Sequence, residues 1–297
     1  SDCDRGMLTD AIRALAIPVL AALPRRDDLV LPERHLGLVQ AGEHGELAAF
    51  FQRAGEWITG NADLEALAML AKSNWAGIGG TADADVSRAV PSEPLRAMPL
   101  PPLGQRIAVA RDDAFAFAYP HMLSGWREAG AEVHFFSPLA DEAPAEDCDA
   151  VFLPGGYPEL HAGRLAAAER FRAGIKRAAG RGALVYGECG GYMALGEGLV
   201  DAAGKRHEML GLLPLETSFA ERQRHLGYRR MTPIGVSPFG EGELMGHEFH
   251  YATTISERSD SAAPLFAVSD AAGADLGRTG LAAGRIMGSF CHVIDRR

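Results

Sequence analysis

The five residues Glu188-Cys189-Gly190-Gly191-Tyr192 form the segment of this chain best suited to covalent chemistry. They follow the apolar run 183–187 and precede Met193-Ala194-Leu195, so the pattern predicts a buried strand, a tight turn carrying a cysteine, and a helix start. A turn of that kind pushes the thiol out of the sheet. The helix N-terminus behind it favours the thiolate, and the amide of Gly190 can donate to an oxyanion. The glycines let a substrate approach the backbone. The plain alternative is that a lone cysteine after a strand is a small buried hydrophobe.

A cysteine nucleophile needs a base, and ten histidines are present. His292, within Gly288-Ser289-Phe290-Cys291-His292, ends a late strand that could bring it beside the turn. Its distance in sequence is no obstacle, because such partners are neighbours only in the fold. The alternative is a surface histidine near the chain end. Gly155-Gly156 closes the apolar run 150–153 and is either an ordinary strand-to-helix turn or a second oxyanion donor facing Cys189. In Gly246-His247-Glu248-Phe249-His250-Tyr251 the HxxH spacing on a strand puts His247 and His250 on opposite faces, which disfavours a zinc site. Glu248 and His250 share a face, either to bind substrate together or to sit in solvent.

These residues need a scaffold. Residues 107–110, 133–136 and 150–153 read as short strands, with a helix over 119–129 and a long helix over 158–179. Strands alternating with helices imply parallel βαβ units in a doubly wound α/β sheet. Sites in such sheets lie beyond the carboxyl ends of the strands, where Gly155-Gly156 and Cys189 both fall. From about residue 199, β-like runs at 211–215, 227–231, 248–255 and 285–293 predict an antiparallel extension of the same domain. Helices are expected over 8–15, 46–58 and 64–71, with a strand over 17–23. Five prolines between Lys72 and Arg106 mark a linker. The expected domains are thus 1–72, a linker at 73–105, and 106–297.

Composition narrows the function. The chain has 297 residues, is 47% hydrophobic and carries a net charge of −10 with no basic run, which argues against nucleic acid as a partner. No run approaches about 20 apolar residues, so no membrane span is expected. Cys3, Cys148, Cys189 and Cys291 are scattered without CxxC spacing, which disfavours a metal site or a disulfide framework and fits a reducing cytoplasm. The start at Ser1 suggests an N-terminal truncation.

Taken together, the motifs resemble the class I glutamine amidotransferase domain, and more narrowly the C-terminal half of the cobyrinate a,c-diamide synthase family. The resemblance runs in order through residues 109–117, Phe136-Ser137-Pro138-Leu139, Pro154-Gly155-Gly156-Tyr157-Pro158-Glu159-Leu160, Glu188-Cys189-Gly190-Gly191, Leu226-Gly227-Tyr228, Gly246-His247-Glu248-Phe249-His250 and the segment ending at His292. It covers residues 106–295. Residues 19–24 and 31–39 resemble the end of that family's ATP-binding domain, a P-loop relative similar to dethiobiotin synthetase. The resemblance implies a flavodoxin-like amidotransferase sheet preceded by a partial P-loop α/β domain. No GxxxxGK[ST] occurs in the 297 residues, so most of an ATP site is expected to lie upstream.

The resemblance also implies a ligase that uses glutamine as nitrogen donor, with ATP and Mg²⁺, to amidate the a and c acetates of cobyrinic or hydrogenobyrinic acid in cobalamin biosynthesis. Cys189 and His292 would be its catalytic pair. Gly155, Gly156, Gly190 and Tyr157 would serve the oxyanion and glutamine, and Glu188, Glu248 and His250 the substrate or support. A homodimer is left open, as is the choice between a cobalt-bearing and a metal-free corrin. Related acceptors are cobyric acid and nickel-sirohydrochlorin. Readings of other classes are a cysteine hydrolase of the same fold and a non-enzymatic module; segment 1–72 argues against the first, and intact Cys189 and His292 against the second. In one respect the chain departs from the general amidotransferase pattern. The glutamate expected two residues after the histidine is Ile294, and Asp295 points to the other strand face, so what orients His292 is open.

Overall fold

The computed structural model describes residues 2–31, 33–34, 37–38, 41, 44–78, 100–258 and 260–297. The chain divides into two compact units, Ser1–Pro94 and Leu95–Arg297.

The first unit contains α1 (Asp2–Arg13), the two-residue strands β1 (Glu33–Arg34) and β2 (Gly37–Leu38), α2 (Leu47–Asn61) and α3 (Leu64–Ile78). The strand expected over 17–23 is reduced to one bridge, Ala21 to Ala62. Pro18 and Pro24 bound the segment and cannot donate to a ladder. The Asp63 carboxylate accepts from the Ala66 amide at 2.9 Å, capping α3. That helix runs to Ile78, so residues 73–78, assigned to the linker by composition, are helical. Residues 79–99 of the expected linker lie outside the described residues. Leu100 and Leu103 already pack into the core of the second unit.

The second unit begins with β3 (Arg106–Ala110), α4 (Pro120–Glu128), β4 (Glu132–Phe136), β5 (Ala150–Leu153), α5 (Ala162–Ala167), α6 (Glu169–Gly180), β6 (Leu184–Glu188) and α7 (Gly190–Leu195). β5 and β6 are buried along their whole length, as expected for central parallel strands covered on both faces. The single helix expected over 158–179 is broken into a 3₁₀ turn at Pro158–Leu160, α5 and α6. The backbone leaves helical geometry at Ala168 (φ −76°, ψ 85°), and Asp141 takes the Phe171 amide of the next turn at 2.9 Å. A packed loop thus replaces the helical bonds that periodicity anticipated.

The remaining strands are β7 (Gly198–Val200), β8 (Arg206–Glu208), β9 (Leu215–Ser218), β10 (His225–Pro233), β11 (Leu244–His250), β12 (Thr253–Glu257), β13 (Ala263–Asp270), β14 (Asp275–Ala283), β15 (Ile286–Ser289) and β16 (Cys291–Arg296). Among the described residues they complete a ten-stranded sheet, ordered β16-β11-β10-β13-β14-β15-β6-β5-β3-β4. The half from β15 to β4 is parallel, and the half from β16 to β14 is antiparallel. The expected extension is therefore continuous with the parallel sheet. A separate four-stranded sheet runs β12-β9-β7-β8. Two expected strands are each split in two. The run 248–255 breaks at Tyr251-Ala252, and the run 285–293 breaks at Phe290. The run 211–215 forms a strand only from Leu215, because Gly211 sits at φ 66° in a turn.

A core of Ile107, Val109, Trp126, Phe152, Tyr186, Phe266 and Val293 joins the two halves of the large sheet. α7 packs on β5, β6 and β15, the strands that lead into the site.

Candidate active site

Cys189 occupies the junction of β6 and α7 with φ 48° and ψ −105°, a conformation that L residues rarely adopt. Such a conformation costs on the order of 1–3 kcal/mol and persists only where the surroundings impose it. Here the Cys189 amide donates to the Ser289 carbonyl at 2.8 Å, and its carbonyl accepts from Met193 at 3.1 Å. The glycines around it permit close packing. A Cβ on Gly191 would fall 1.8 Å from the Leu153 carbonyl oxygen, and one on Gly190 would lie 2.8 Å from Pro158 and 3.0 Å from the Gly156 nitrogen. The Cys189 thiol contacts the Phe249 carbonyl at 3.7 Å. Burial pushes it up to about 12, with the Glu159 carboxylate adding to the rise and the Gly190 amide opposing it. The sulfur therefore rests as a thiol at neutral pH.

His292, the predicted base, lies on β16 opposite His247 of β11. The two rings stack at 4.7 Å and 9°, and Tyr119 meets both edge-on. The His292 ring lies over Gly155, where a Cβ would come within 2.3 Å of its Cε1. Gly155-Gly156 thus touches the histidine on one side and Gly190 on the other. The expected strand-end position of both motifs holds, and the Gly155 carbonyl is fixed by the Phe117 amide at 2.9 Å. Burial, followed by neighbouring His247 and His250, lowers His292 to about 3. It rests as neutral imidazole, the form able to accept a proton.

Glu188 is fully buried at the end of β6. Its Oε1 accepts from the Tyr186 hydroxyl at 3.2 Å and the Val293 amide at 3.0 Å. Burial pushes the carboxyl up to about 8, against the lowering effect of those two donors. Tyr157 packs edge-on to Phe117 at 5.2 Å, at the start of the Pro158–Leu160 turn.

Glu248 and His250 do share a face, joined by a 2.9 Å contact between His250 Nε2 and Glu248 Oε1. Arg229 Nε donates to the other carboxylate oxygen at 2.8 Å. His225, Glu248 and His250 place one donor atom each within 4.8 Å of one another. Glu248 and His250 already have polar partners. The His225 and His250 rings stack nearly parallel at 4.6 Å and 11°, His250 Nδ1 faces the Ala252 carbonyl at 3.1 Å, and Arg229 supplies the positive charge. The cluster is an ion-pair network across β10 and β11.

Burial works to raise Glu248, but His250 and Arg229 outweigh it and hold the carboxyl at about 2. A depressed carboxylate contributes stability above its unfolded value, and that stability is lost as pH falls through the folded one. The Glu248 contribution, roughly 3 kcal/mol at most, should therefore disappear between about pH 4.5 and 2. In thermal melts taken from pH 6 down through that range, Glu248→Gln should be less stable than the parent at pH 6, and the gap should close on acidification.

Three residues close to Cys189 and His292 were given no role from the sequence. His247 lies under the His292 ring, and the Tyr119 hydroxyl hydrogen-bonds His247 Nε2. Glu159 is buried, with its carboxyl pushed up to about 7 by desolvation. The HxxH spacing had drawn attention to His247, but strand alternation alone gave no sign that β16 would lie against it.

Residues 106–297 match the CobB/CobQ-like glutamine amidotransferase domain. A hydrogenobyrinate a,c-diamide synthase of Rhizobium meliloti (strain 1021) is 58% identical over 295 residues, covering 99% of this chain and 64% of the relative. The enzyme of that name from Rhodobacter capsulatus is 51% identical over 290 residues, covering 97% and 62%. The chain thus spans less than two thirds of the length of these curated relatives. A solved glutamine amidotransferase from Thermotoga maritima shares 17% identity, covers 63% of this chain and 75% of its own, and superposes with a TM-score of 0.43. The match over 106–297 takes in the cysteine turn, the diglycine and the late histidine in a single domain, and the chain belongs to the CobB/CobQ-like glutamine amidotransferase family.

Proposed function

We propose that Cys189 and His292 form a glutaminase centre, and that the whole protein is a glutamine-dependent hydrogenobyrinate a,c-diamide synthase. The observation that carries the first part is the buried, left-handed Cys189 turn packed through Gly190 and Gly156 against the strand end beneath His292. The support for the second is the identity of over half with synthases of that name along nearly the entire chain.

In the reaction, Cys189 Sγ attacks the side-chain amide carbon of glutamine while His292 accepts the thiol proton. The amides of Gly190 and Gly156 face the developing oxyanion. The C–N bond breaks, His292 returns the proton to the departing nitrogen, and ammonia leaves. Water, deprotonated by the same imidazole, then attacks the thioester carbon, giving glutamate and the free thiol. Tyr157, at the head of the turn beside Gly156, lines the glutamine side of the site. Glu248 and His250 brace the strand carrying Phe249, whose carbonyl touches the sulfur.

Ammonia is then used to amidate the a and c acetates of a corrin, an ATP- and Mg²⁺-dependent ligase step. The relatives' name favours the metal-free acceptor over cobyrinate, cobyric acid or nickel-sirohydrochlorin. No residue among these 297 is assigned to the nucleotide, because no GxxxxGK[ST] is present. Residues up to the end of α3 at Ile78 are read as part of the ATP-binding domain, the stretch after it as the connection and 106–297 as the amidotransferase domain. The scattered cysteines without CxxC spacing favour a reducing cytoplasm as its compartment. Among the described residues no helix is long and apolar enough to cross a membrane. Self-association as a homodimer accords with this reading.

The test is intact-mass analysis after treatment with a diazo-ketone analogue of glutamine, followed by peptide mapping. One adduct on Cys189, blocked by excess glutamine, is the expected result. Labelling elsewhere, or none in the full-length protein with ATP and corrin present, would reject the glutaminase assignment.

A further inference from the structure

Two of the buried polar atoms without hydrogen-bond partners, one on His292 itself and one beside it, face each other. They are Glu188 Oε2 and His292 Nδ1, 4.0 Å apart. An unmade bond at such depth costs roughly 1–3 kcal/mol per group, so a native fold retains it only where something else requires the arrangement. The position that orients the histidine in general amidotransferases is Ile294 here, which can neither donate nor accept through its side chain.

We propose that Glu188, immediately before the nucleophile, is the positioning residue for His292: its Oε2 accepts a hydrogen bond from Nδ1–H and so leaves the Nε2 lone pair free to serve as base. This inference rests on the glutaminase reading of Cys189 and His292.

The geometry restricts what Glu188 can do. Its Oε1 is anchored by the Tyr186 hydroxyl and the Val293 amide, so Oε2 is the oxygen left to face the ring. Val293 follows His292 in β16, so the anchor fixes the strand as well as the carboxylate. The ring cannot tilt far, because His247 stacks on one side and Gly155 lies close. At 4.0 Å the pair is about 1 Å beyond a hydrogen bond. Catalytic contacts of this kind are often long before substrate binds and shorten in the complex. Burial alone favours the acid form of Glu188 and the neutral form of His292. As the contact shortens, a hydrogen bond from Nδ1–H stabilises the Glu188 carboxylate and fixes one tautomer of an imidazole that stays neutral.

Glu188→Gln tests the proposal with little change in volume. The amide oxygen takes over the two Oε1 contacts, so the NH₂ group is turned toward His292. An NH₂ can only donate, and Nδ1 must then accept, which puts the ring proton on Nε2. ¹⁵N-histidine NMR of the 297-residue chain should show the Nδ1–H tautomer of His292 in the parent and Nε2–H in Glu188→Gln. Glutamine hydrolysis should lose about 100-fold or more in kcat with little change in KM, at an unchanged melting temperature. Glu188→Asp, which keeps the acceptor but retracts it, should retain the parent tautomer and recover part of the rate. The proposal is overturned if Glu188→Gln keeps the Nδ1–H tautomer, or if a parent that hydrolyses glutamine loses less than about threefold of that rate in the variant. It is equally overturned if the rate falls only in step with the melting temperature. A switched tautomer in a chain whose parent does not hydrolyse glutamine would uphold the positioning role and reject the glutaminase reading, so the two can fail separately.

Discussion

Cys189→Ala should abolish glutamine hydrolysis, lowering kcat by roughly 10⁴-fold or more, the scale seen when a covalent nucleophile is removed. Cys189→Ser should fare little better. A hydroxyl is a far weaker nucleophile than a thiol unless a base activates it strongly. Neither change relieves the backbone at φ 48°, since both new residues carry a Cβ. Stability should therefore move by about 1 kcal/mol or less, the range of a conservative exchange at a well-packed site. Glutamate release gives the first quantity and thermal melts the second. In the full-length protein, amide formation from added ammonium salts should survive Cys189→Ala. Loss of both activities would reject the proposed division between an ammonia-producing and an ammonia-consuming centre.

Gly155→Ala should separate catalysis from folding. The new methyl would come within 2.3 Å of His292 Cε1, 3.1 Å of Nε2 and 3.3 Å of Nδ1. All three atoms belong to one side-chain ring, so the ring gives way and the backbone stays. Moving it about 1 Å is enough to cost about 100-fold in rate. Overpacking should cost about 1–3 kcal/mol, leaving a folded protein at room temperature. Gly163→Ala is the control, because its nearest neighbour would be His207 Cε1 at an ordinary 3.6 Å. Hydrolysis and melting should both stay near the parent values there. Equal activity in Gly155→Ala and the parent would mean that the His292 ring is not the working base.

The parallel half of the second unit was legible because continuous apolar runs admit one interpretation. Residues 107–110, 150–153 and 184–187 could bury both faces only as central strands, and there the structure follows the pattern to within a residue or two. Cys189 was legible for the same reason: a cysteine between such a run and a pair of glycines has few other places to go. The antiparallel half was harder. β14 runs through Asp275-Leu276-Gly277-Arg278-Thr279-Gly280, where two glycines at positive φ and exposed polar residues mask its pairing with β13. β7 and β8 are three residues each, too short to show a period. The helix expected over 158–179 failed because tertiary bonds from residues such as Asp141 replaced helical ones at a point where composition still favoured helix. The partners of His292 could not be read at all. Glu188 and His247 lie 104 and 45 residues away in sequence, and nothing local to any of the three encodes their meeting.

That meeting depends on how the large sheet curls. β16 is an edge strand separated from β6 by β15, β14, β13, β10 and β11, yet Val293 donates directly to Glu188 at the end of β6. Seven strands must therefore pair in register before the sheet returns on itself and the strand carrying His292 reaches the end of β6. Contacts of such long sequence separation form late, after the local ones have repaid the entropy of closing each loop. During folding, Cys189 can be placed on its turn while no base is yet near it. A nascent or partly opened chain is thus chemically silent, and the appearance of glutaminase activity after dilution from denaturant would serve as a clock for the last stage of sheet closure, lagging the recovery of helical signal.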